Sequence, residues 1–481
     1  MSLITKKYSF KDASQIIRPR FDALRKEHRR IAVVKAGGLA AGSQRIFDNL
    51  QTKLLLGGYN IIGFRYGFTP LLEKIKNGEI LIDGEDYIEF GSRPFVHGND
   101  DPLVIGTGRP KLINADFVSK GAITPEEDNL FIRFIECLLD LNIGGIVMLG
   151  GDGTLSLAWA FKNVGIPVVG IGKSMDDDYP FDPDRPQKFH TFGFESTVCV
   201  IRDGLMRMVG EVGGEQSCIF VEVMGRNSGF VAHRSAAAAD WQLLLRACEE
   251  KKEPRPINIF AVSVEDVLPN ENLEHFCERI ASAIISHEKH EKRHMGRPVI
   301  VLSESVGIKF YQEIVERTGK NEKRDPEGRV EGYSLDSCGV ISRMVEKFYN
   351  NYYKKIGSKG SILKFRSDSF RFNTRVMPLD WMSKRDIRMC ENFGIKAAKL
   401  VVADNFDVTV VPYGRHFIEM ERLIDPVTNA VKKRTISPDS NLWKITQRLR
   451  SEGQFLMEEN RLKFGRYIID NHVEQQTVGF I

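Results

Sequence analysis

The chain contains no C-x-x-C pair, and its seven cysteines, at positions 137, 199, 218, 248, 277, 338 and 390, are odd in number and widely scattered. That spacing argues against metal knuckles and a disulfide framework, so a reducing cytosol is the expected setting. Long apolar runs are also missing; none approaches the roughly 20 residues of a membrane span. The opening MSLITKKYSFKDAS has no apolar signal core, and the closing VGFI is not a targeting tripeptide. A cytoplasmic protein with no membrane partner is therefore expected. Nor does one sign of charge dominate. The 68 Lys and Arg against 64 Asp and Glu leave a formal charge of +4, too little to point to nucleic acid. Basic clusters at 25–30 and 289–297 are expected to be solvated faces or loops. No short repeat and no low-complexity tract is present.

What remains is a chain of 481 residues, 42% hydrophobic, long enough for two packed cores with extensions. A charged helical lead-in fills the first thirty residues. The run IAVVKA at 31–36 then stops at Gly37 and Gly38, as a buried strand entering a glycine turn does. A helix is predicted from about Ser43, and a second strand at 59–64. Residues 74–101 read as irregular and polar. A helical pattern at 126–142 precedes a strand at 143–149, and a further helix leads to a strand at 166–171. Later strands are predicted at 217–223, 258–264, 298–302 and 406–411, with helices near 270–289, 335–354 and 384–403. This alternation predicts an α/β fold of two Rossmann-like three-layer domains with mainly parallel sheets. The expected units are a helical extension at 1–30, an α/β domain at 31–188 joined again by about 375–435, a second α/β domain at 189–374 and a helical extension at 436–481.

Ligands of such sheets gather beyond the carboxyl ends of the strands, where GGLAAG, GGDGT and GKSMDDD all fall. In 150–154 (GGDGT), glycines allow close approach of the backbone to phosphate, and successive N–H groups can form an anion nest. Asp152 adds negative charge there, which suits a Mg²⁺ ion bridging phosphate oxygens. A capped strand-to-helix turn is the alternative reading of the pentapeptide alone, and lipid kinases and NAD kinases share it.

The segment KSMDDD at 173–178 resembles the K-T-I-D-N-D loop of the phosphofructokinases. In the same order come GFRYGF (63–68), GTGR (106–109), HTFGF (190–194), MGRNSGF (224–230) and the Ser303-Glu304 pair. The resemblance extends over roughly 31–413 and implies the phosphofructokinase fold, fructose 6-phosphate as acceptor, and a homodimer or homotetramer. It implies Asp176 as the base for the sugar 1-hydroxyl, with Arg109, Asp178 and Lys173 also at the reaction centre. Gly38, Tyr66, Arg109, Gly151, Asp152, Gly153 and Thr154 would face the donor, with Asp152 as metal carboxylate. Ser174, Met175, Asp176, Met224, Gly225, Arg226, Glu304, Phe372 and Arg375 would face the sugar phosphate. Gly153, where pyrophosphate-dependent members carry Asp, points to ATP as donor; Lys173 keeps pyrophosphate open.

Three departures stand out. In 37–44 (GGLAAGSQ) the family's proline is Ala41 and its Asn is Gln44, which predicts a looser loop. Phe372 lacks the polar tip of the usual Tyr or His. Asp177 replaces Asn, so three consecutive carboxylates would meet anionic substrates and strengthen the demand for Mg²⁺. These changes keep two alternatives open: a kinase for another sugar phosphate, such as sedoheptulose 7-phosphate, and a catalytically weak regulatory subunit.

Overall fold

Two parallel-centred sheets, each buried on both faces, organise the chain. The computed structural model describes residues 6–453 except 92–104, 109–120, 185–189, 216, 253–257, 291–296, 321–322, 325–329, 331, 358–362, 371–373, 415–416, 429, 438, 447–448 and 450.

The larger sheet runs, in spatial order, Phe417–Glu419, Val408–Val410, Val168–Gly172, Ile146–Gly150, Arg30–Ala36, Asn60–Phe64 and Tyr87–Phe90. Its five inner strands are parallel, and the two outer strands are antiparallel. Alternation along Arg30–Ala36 sends Ile31 and Val33 to one core and Ala32 and Val34 to the other. Helices Ser43–Leu56 and Lys384–Val402 cover the first face; Phe10–His28 and Asn129–Asp140 help cover the second. Continuous apolar strands are what two-sided burial requires.

The smaller sheet, Lys364–Ser369, Ser217–Val223, Val299–Ser303 and Ile259–Val262, is parallel throughout. Helices Phe194–Glu215 and Phe230–Glu249 lie on one face, and Leu273–His290 and Ser337–Lys355 on the other. The fold is thus α/β with mostly parallel sheets.

Several expectations need correction. Residues 74–101 are not simply irregular: helix Thr69–Asn77 ends there, and Tyr87–Phe90 pairs with Asn60–Phe64 as an edge strand. The edge strand Lys364–Ser369 (KFRSDS) was not anticipated, because most of its side chains face water and it carries no apolar run. Charged side chains on such an edge discourage pairing with another chain. The basic cluster at 25–30 is not uniformly solvated. Arg25 is 5% exposed, donates to the Gly144 carbonyl at 2.8 Å and pairs with Asp22 and Asp404. Its guanidinium also lies 4.6 Å from the Phe406 ring centroid, so it joins the N-terminal helix to the sheet. At the other end, Asn441–Thr446 is a short helix, and 454–481 lie outside the described residues.

Candidate active site

Strands Arg30–Ala36, Ile146–Gly150 and Val168–Gly172 end side by side, so the loops that follow them converge. Gly37 turns the first loop at φ +86°, a conformation open to glycine without cost. Its N–H donates to the Gly108 carbonyl at 2.8 Å, and Thr107 Oγ1 donates to the Gly37 carbonyl at 2.7 Å. This pairing brings 106–108 against the glycine turn; Arg109, the next residue, lies outside the described residues. Farther along, Ala41 is fully buried beside Met377 and Met382, so packing acts at the position where the family has proline.

The second loop enters helix Asp152–Asn163, whose first-turn N–H groups and dipole favour an anion. The third carries 173–178. Here Lys173 donates from Nζ to the Gly38 carbonyl at 2.5 Å and thereby links the first loop to the third. From the smaller sheet, Ser217–Val223 and Val299–Ser303 run into Met224–Asn227 and Glu304 across the gap. One cavity of about 530 Å³ lies between them.

Most of the expected site residues line this cavity. Gly38, Gly151, Asp152, Gly153, Thr154 and Lys173 form one wall. Opposite them are Met224, Arg226, Glu304 and Arg375, with Ser174, Met175, Asp176 and Asp178 between. Gly225 is absent from the lining. It sits at φ +138°, where an added Cβ would come within 2.5 Å of the Ser228 carbonyl oxygen, so it shapes the turn that presents Arg226. Tyr66 also lies apart, 51% exposed, with Arg65 over its ring. Phe372 is outside the described residues.

Asp176 accepts the Arg226 backbone N–H at 3.1 Å. Burial, then the Asp178 carboxylate, raises its pKa above the ordinary carboxylate value, against the pull of Arg226 and Lys433. Ser174 points its hydroxyl to Asp178 and accepts the Asp176 N–H at 3.2 Å, so it orders the acidic loop. Glu304 is pushed up to about 7, first by burial and then by Asp176, while Arg226 and Arg375 oppose the rise. It therefore gains its charge as pH passes neutrality. If ionised Glu304 accepts a sugar hydroxyl, kcat/KM for the sugar phosphate rises with an apparent pKa of about 7. Replacing it in Glu304→Gln removes that limb, while the substrate phosphate's own titration stays common to both proteins. Identical pH profiles for the two would contradict this assignment.

Asp177 does not join the carboxylates in the cavity, and the expected crowding of three charges is corrected to two. Its φ of +58° turns the side chain into the protein, where it is 0% exposed. There it accepts the Thr191 N–H at 2.8 Å, meets His190 Nδ1 and pairs with the Arg434 guanidinium. Burial alone would raise its pKa, but Arg434 and then His190 outweigh burial and hold the carboxyl below its ordinary value.

Lys433 and Arg434 were missed by sequence reasoning. In sequence VKKRT is a short basic run, the commonest signature of a solvated surface. In the fold Lys433 enters the cavity, with Nζ 2.9 Å from Asp178 and 3.2 Å from Asp152. Burial works against its charge, yet Asp178 and Asp152 more than offset this and raise the ammonium pKa. Asn227, in the 224–230 motif but given no role there, donates to Asp178 at 2.7 Å.

A cation set between Asp152 and Asp178 shows that these oxygens form a cation-attracting pair. Mg²⁺ takes one or two protein carboxylates and leaves its other positions to water and phosphate, so the residues fit the expected ion. Among the described residues no cluster of three or more His, Cys, Asp or Glu forms an all-protein metal cage.

Glycine turns, a helix N-terminus and paired carboxylates at the ends of parallel strands are the features that a phosphate-bearing ligand and its metal require. The family model described as phosphofructokinase matches residues 30–333, and the chain belongs to the phosphofructokinase family. It is 27% identical over 217 residues to the pyrophosphate–fructose 6-phosphate 1-phosphotransferase of Dictyoglomus thermophilum, covering 45% of this chain and 55% of that one. With the enzyme of the same name from Thermotoga maritima it shares 23% over 431 residues, 87% of this chain and 90% of the relative. An ATP-dependent 6-phosphofructokinase of Streptomyces coelicolor is 35% identical over 212 residues, 44% of this chain and 54% of that protein. The matched region thus spans about half the length of the first and third of these relatives. Among solved structures, the pyrophosphate-dependent phosphofructokinase of Nitrosospira multiformis has a TM-score of 0.54 at 14% identity, covering 91% of each chain. That from Marinobacter aquaeolei has 0.52 at 15%, over 92% of this chain and 91% of the other. These likenesses bear on the fold alone.

Proposed function

We propose that the protein transfers the γ-phosphoryl group of ATP to the 1-hydroxyl of fructose 6-phosphate, giving fructose 1,6-bisphosphate and ADP. The observation that carries this reading is the place of Asp176. It lies in the cavity between a glycine-rich wall and a wall bearing Arg226, Glu304 and Arg375. The sugar oxygen forms a bond to phosphorus as the bond from phosphorus to the ADP oxygen breaks. Asp176 accepts the hydroxyl proton during this exchange. Its raised pKa makes it a stronger acceptor than an ordinary carboxylate, provided that it is ionised.

Arg226 and Arg375 supply the positive charge a sugar phosphate needs, and Glu304 orients hydroxyl groups beside them. Lys173 fixes the first glycine loop through the Gly38 carbonyl and adds positive charge at the donor wall. Asp152 and Asp178 would hold Mg²⁺, which supplies charge neutralisation for the donor phosphates. The site residues, the sugar identity, the cytoplasmic setting and a homodimer or homotetramer are all parts of this reading.

Pyrophosphate is the second donor reading, supported by Lys173 and by the near full-length similarity to the Thermotoga protein. Gly153 on the donor wall supports ATP, since it adds no carboxylate where a nucleotide α-phosphate would come. A coupled assay with fructose 6-phosphate and either donor separates the two. The expected result is turnover with ATP and at most a small fraction of that rate with pyrophosphate; turnover with pyrophosphate alone reverses the assignment.

A further inference from the structure

The segment that delivers Lys433 to the cavity is a strap fixed on both sides. Lys432 N–H donates to the Leu423 carbonyl at 2.8 Å, and Arg434 N–H to the Asp178 carbonyl at 2.9 Å. Ile436 N–H donates to Glu265 at 3.2 Å; the same carboxylate accepts the Gly229 N–H at 3.0 Å. Arg434 is buried, pairs with Asp177 and lies 4.7 Å from the Phe230 ring centroid. The backbone around Lys433 is therefore anchored to the acidic loop and to the smaller sheet, while the Lys433 side chain remains 33% exposed. Its long stem leaves the ammonium able to swing although its Cα is fixed.

We propose that Lys433 is a built-in counter-cation that holds the Asp152–Asp178 pair and must withdraw before a divalent ion can bind there. An ammonium about 3 Å from both carboxylates occupies the space that Mg²⁺ and its inner waters require. Two cations in that space repel one another, so lysine and metal compete. The competition links metal arrival to donor arrival. Free Mg²⁺ must displace Lys433 into water, whereas a metal brought with donor phosphates provides the displaced ammonium with a new anionic partner. The strap returns the ammonium to the carboxylates when the phosphates leave. Lys433 is thus a positioning residue for the metal site, placed there by the charged Asp177–Arg434 pair.

This inference rests on the reading of Asp152 and Asp178 as the metal carboxylates, and its test is a metal titration independent of turnover. Mn²⁺ is titrated into the 481-residue protein without nucleotide or pyrophosphate and followed by its paramagnetic signal. Lys433→Met should bind free Mn²⁺ about tenfold more tightly than the wild type, the scale of an ordinary linkage between competing ligands. Lys433→Arg keeps the charge and should stay close to the wild type, which separates loss of the cation from general damage to the strap. Equal or weaker Mn²⁺ binding by Lys433→Met overturns the proposal, as does an equal gain in both variants. A failure of the sugar-kinase reading would appear instead as absent turnover, whatever the metal titration shows.

Discussion

Asp176→Asn should lower turnover by about 10²–10⁴-fold while leaving fructose 6-phosphate binding within a few-fold of the wild type. Asparagine keeps the shape of the side chain and can still accept the Arg226 N–H through its carbonyl, but it cannot take a proton. The acidic loop is also held independently of Asp176, because Asp178 contacts Ser174, Asn227 and Lys433. Turnover measured beside direct sugar-phosphate binding checks this split. A variant that retains wild-type turnover removes Asp176 from the chemistry. Loss of binding and turnover together would make it a structural residue of the loop.

A second large effect is expected in stability. Asp177→Asn should cost about 3–5 kcal/mol, because it leaves the Arg434 guanidinium buried without its carboxylate. Asparagine tolerates the left-handed backbone found at this position, so the loss reflects charge more than backbone strain. The sign with pH follows from the depressed carboxyl pKa. The wild type's advantage is complete above the ordinary carboxylate range and declines as pH falls through the lower, folded-state value. Urea unfolding of both proteins at pH 7 and in acid measures it. An unchanged midpoint at pH 7 would contradict the buried pairing. A changed Mg²⁺ requirement without loss of stability would return Asp177 to the cavity, as the sequence suggested.

The difference between Asp177 in sequence and in space shows what kind of information was legible. The parallel strands could be read because burial on both faces demands continuous apolar runs such as IVML and VVGI, and glycines mark where those runs stop. The α/β alternation placed the glycine loops and the acidic loop together at strand ends, and the family resemblance singled out Asp176 and Glu304; with Asp152 these residues line one cavity. A one-dimensional pattern does not show which way a side chain turns. Asp177 lies between two cavity residues, yet its backbone angle sends it toward Arg434. Lys433 illustrates a different limit. It reaches Asp178 from 255 positions away along the chain, and only the return of the chain through Val408–Val410 and Phe417–Glu419 to the larger sheet brings it there. The edge strand Lys364–Ser369 was illegible for a third reason, since solvent on its exposed side removes the hydrophobic signal.

On the proposed function, one cavity would join a phosphoryl donor to a sugar phosphate through Asp176. The most direct test is a product assay on the purified 481-residue protein with Mg²⁺, supplying ATP or pyrophosphate and a panel of sugar phosphates. The expected result is ATP-dependent formation of fructose 1,6-bisphosphate from fructose 6-phosphate, faster than product formation from sedoheptulose 7-phosphate. Binding of sugar phosphate with no phosphorylated product from any pair of substrates would contradict it and mark the chain as a ligand-binding subunit.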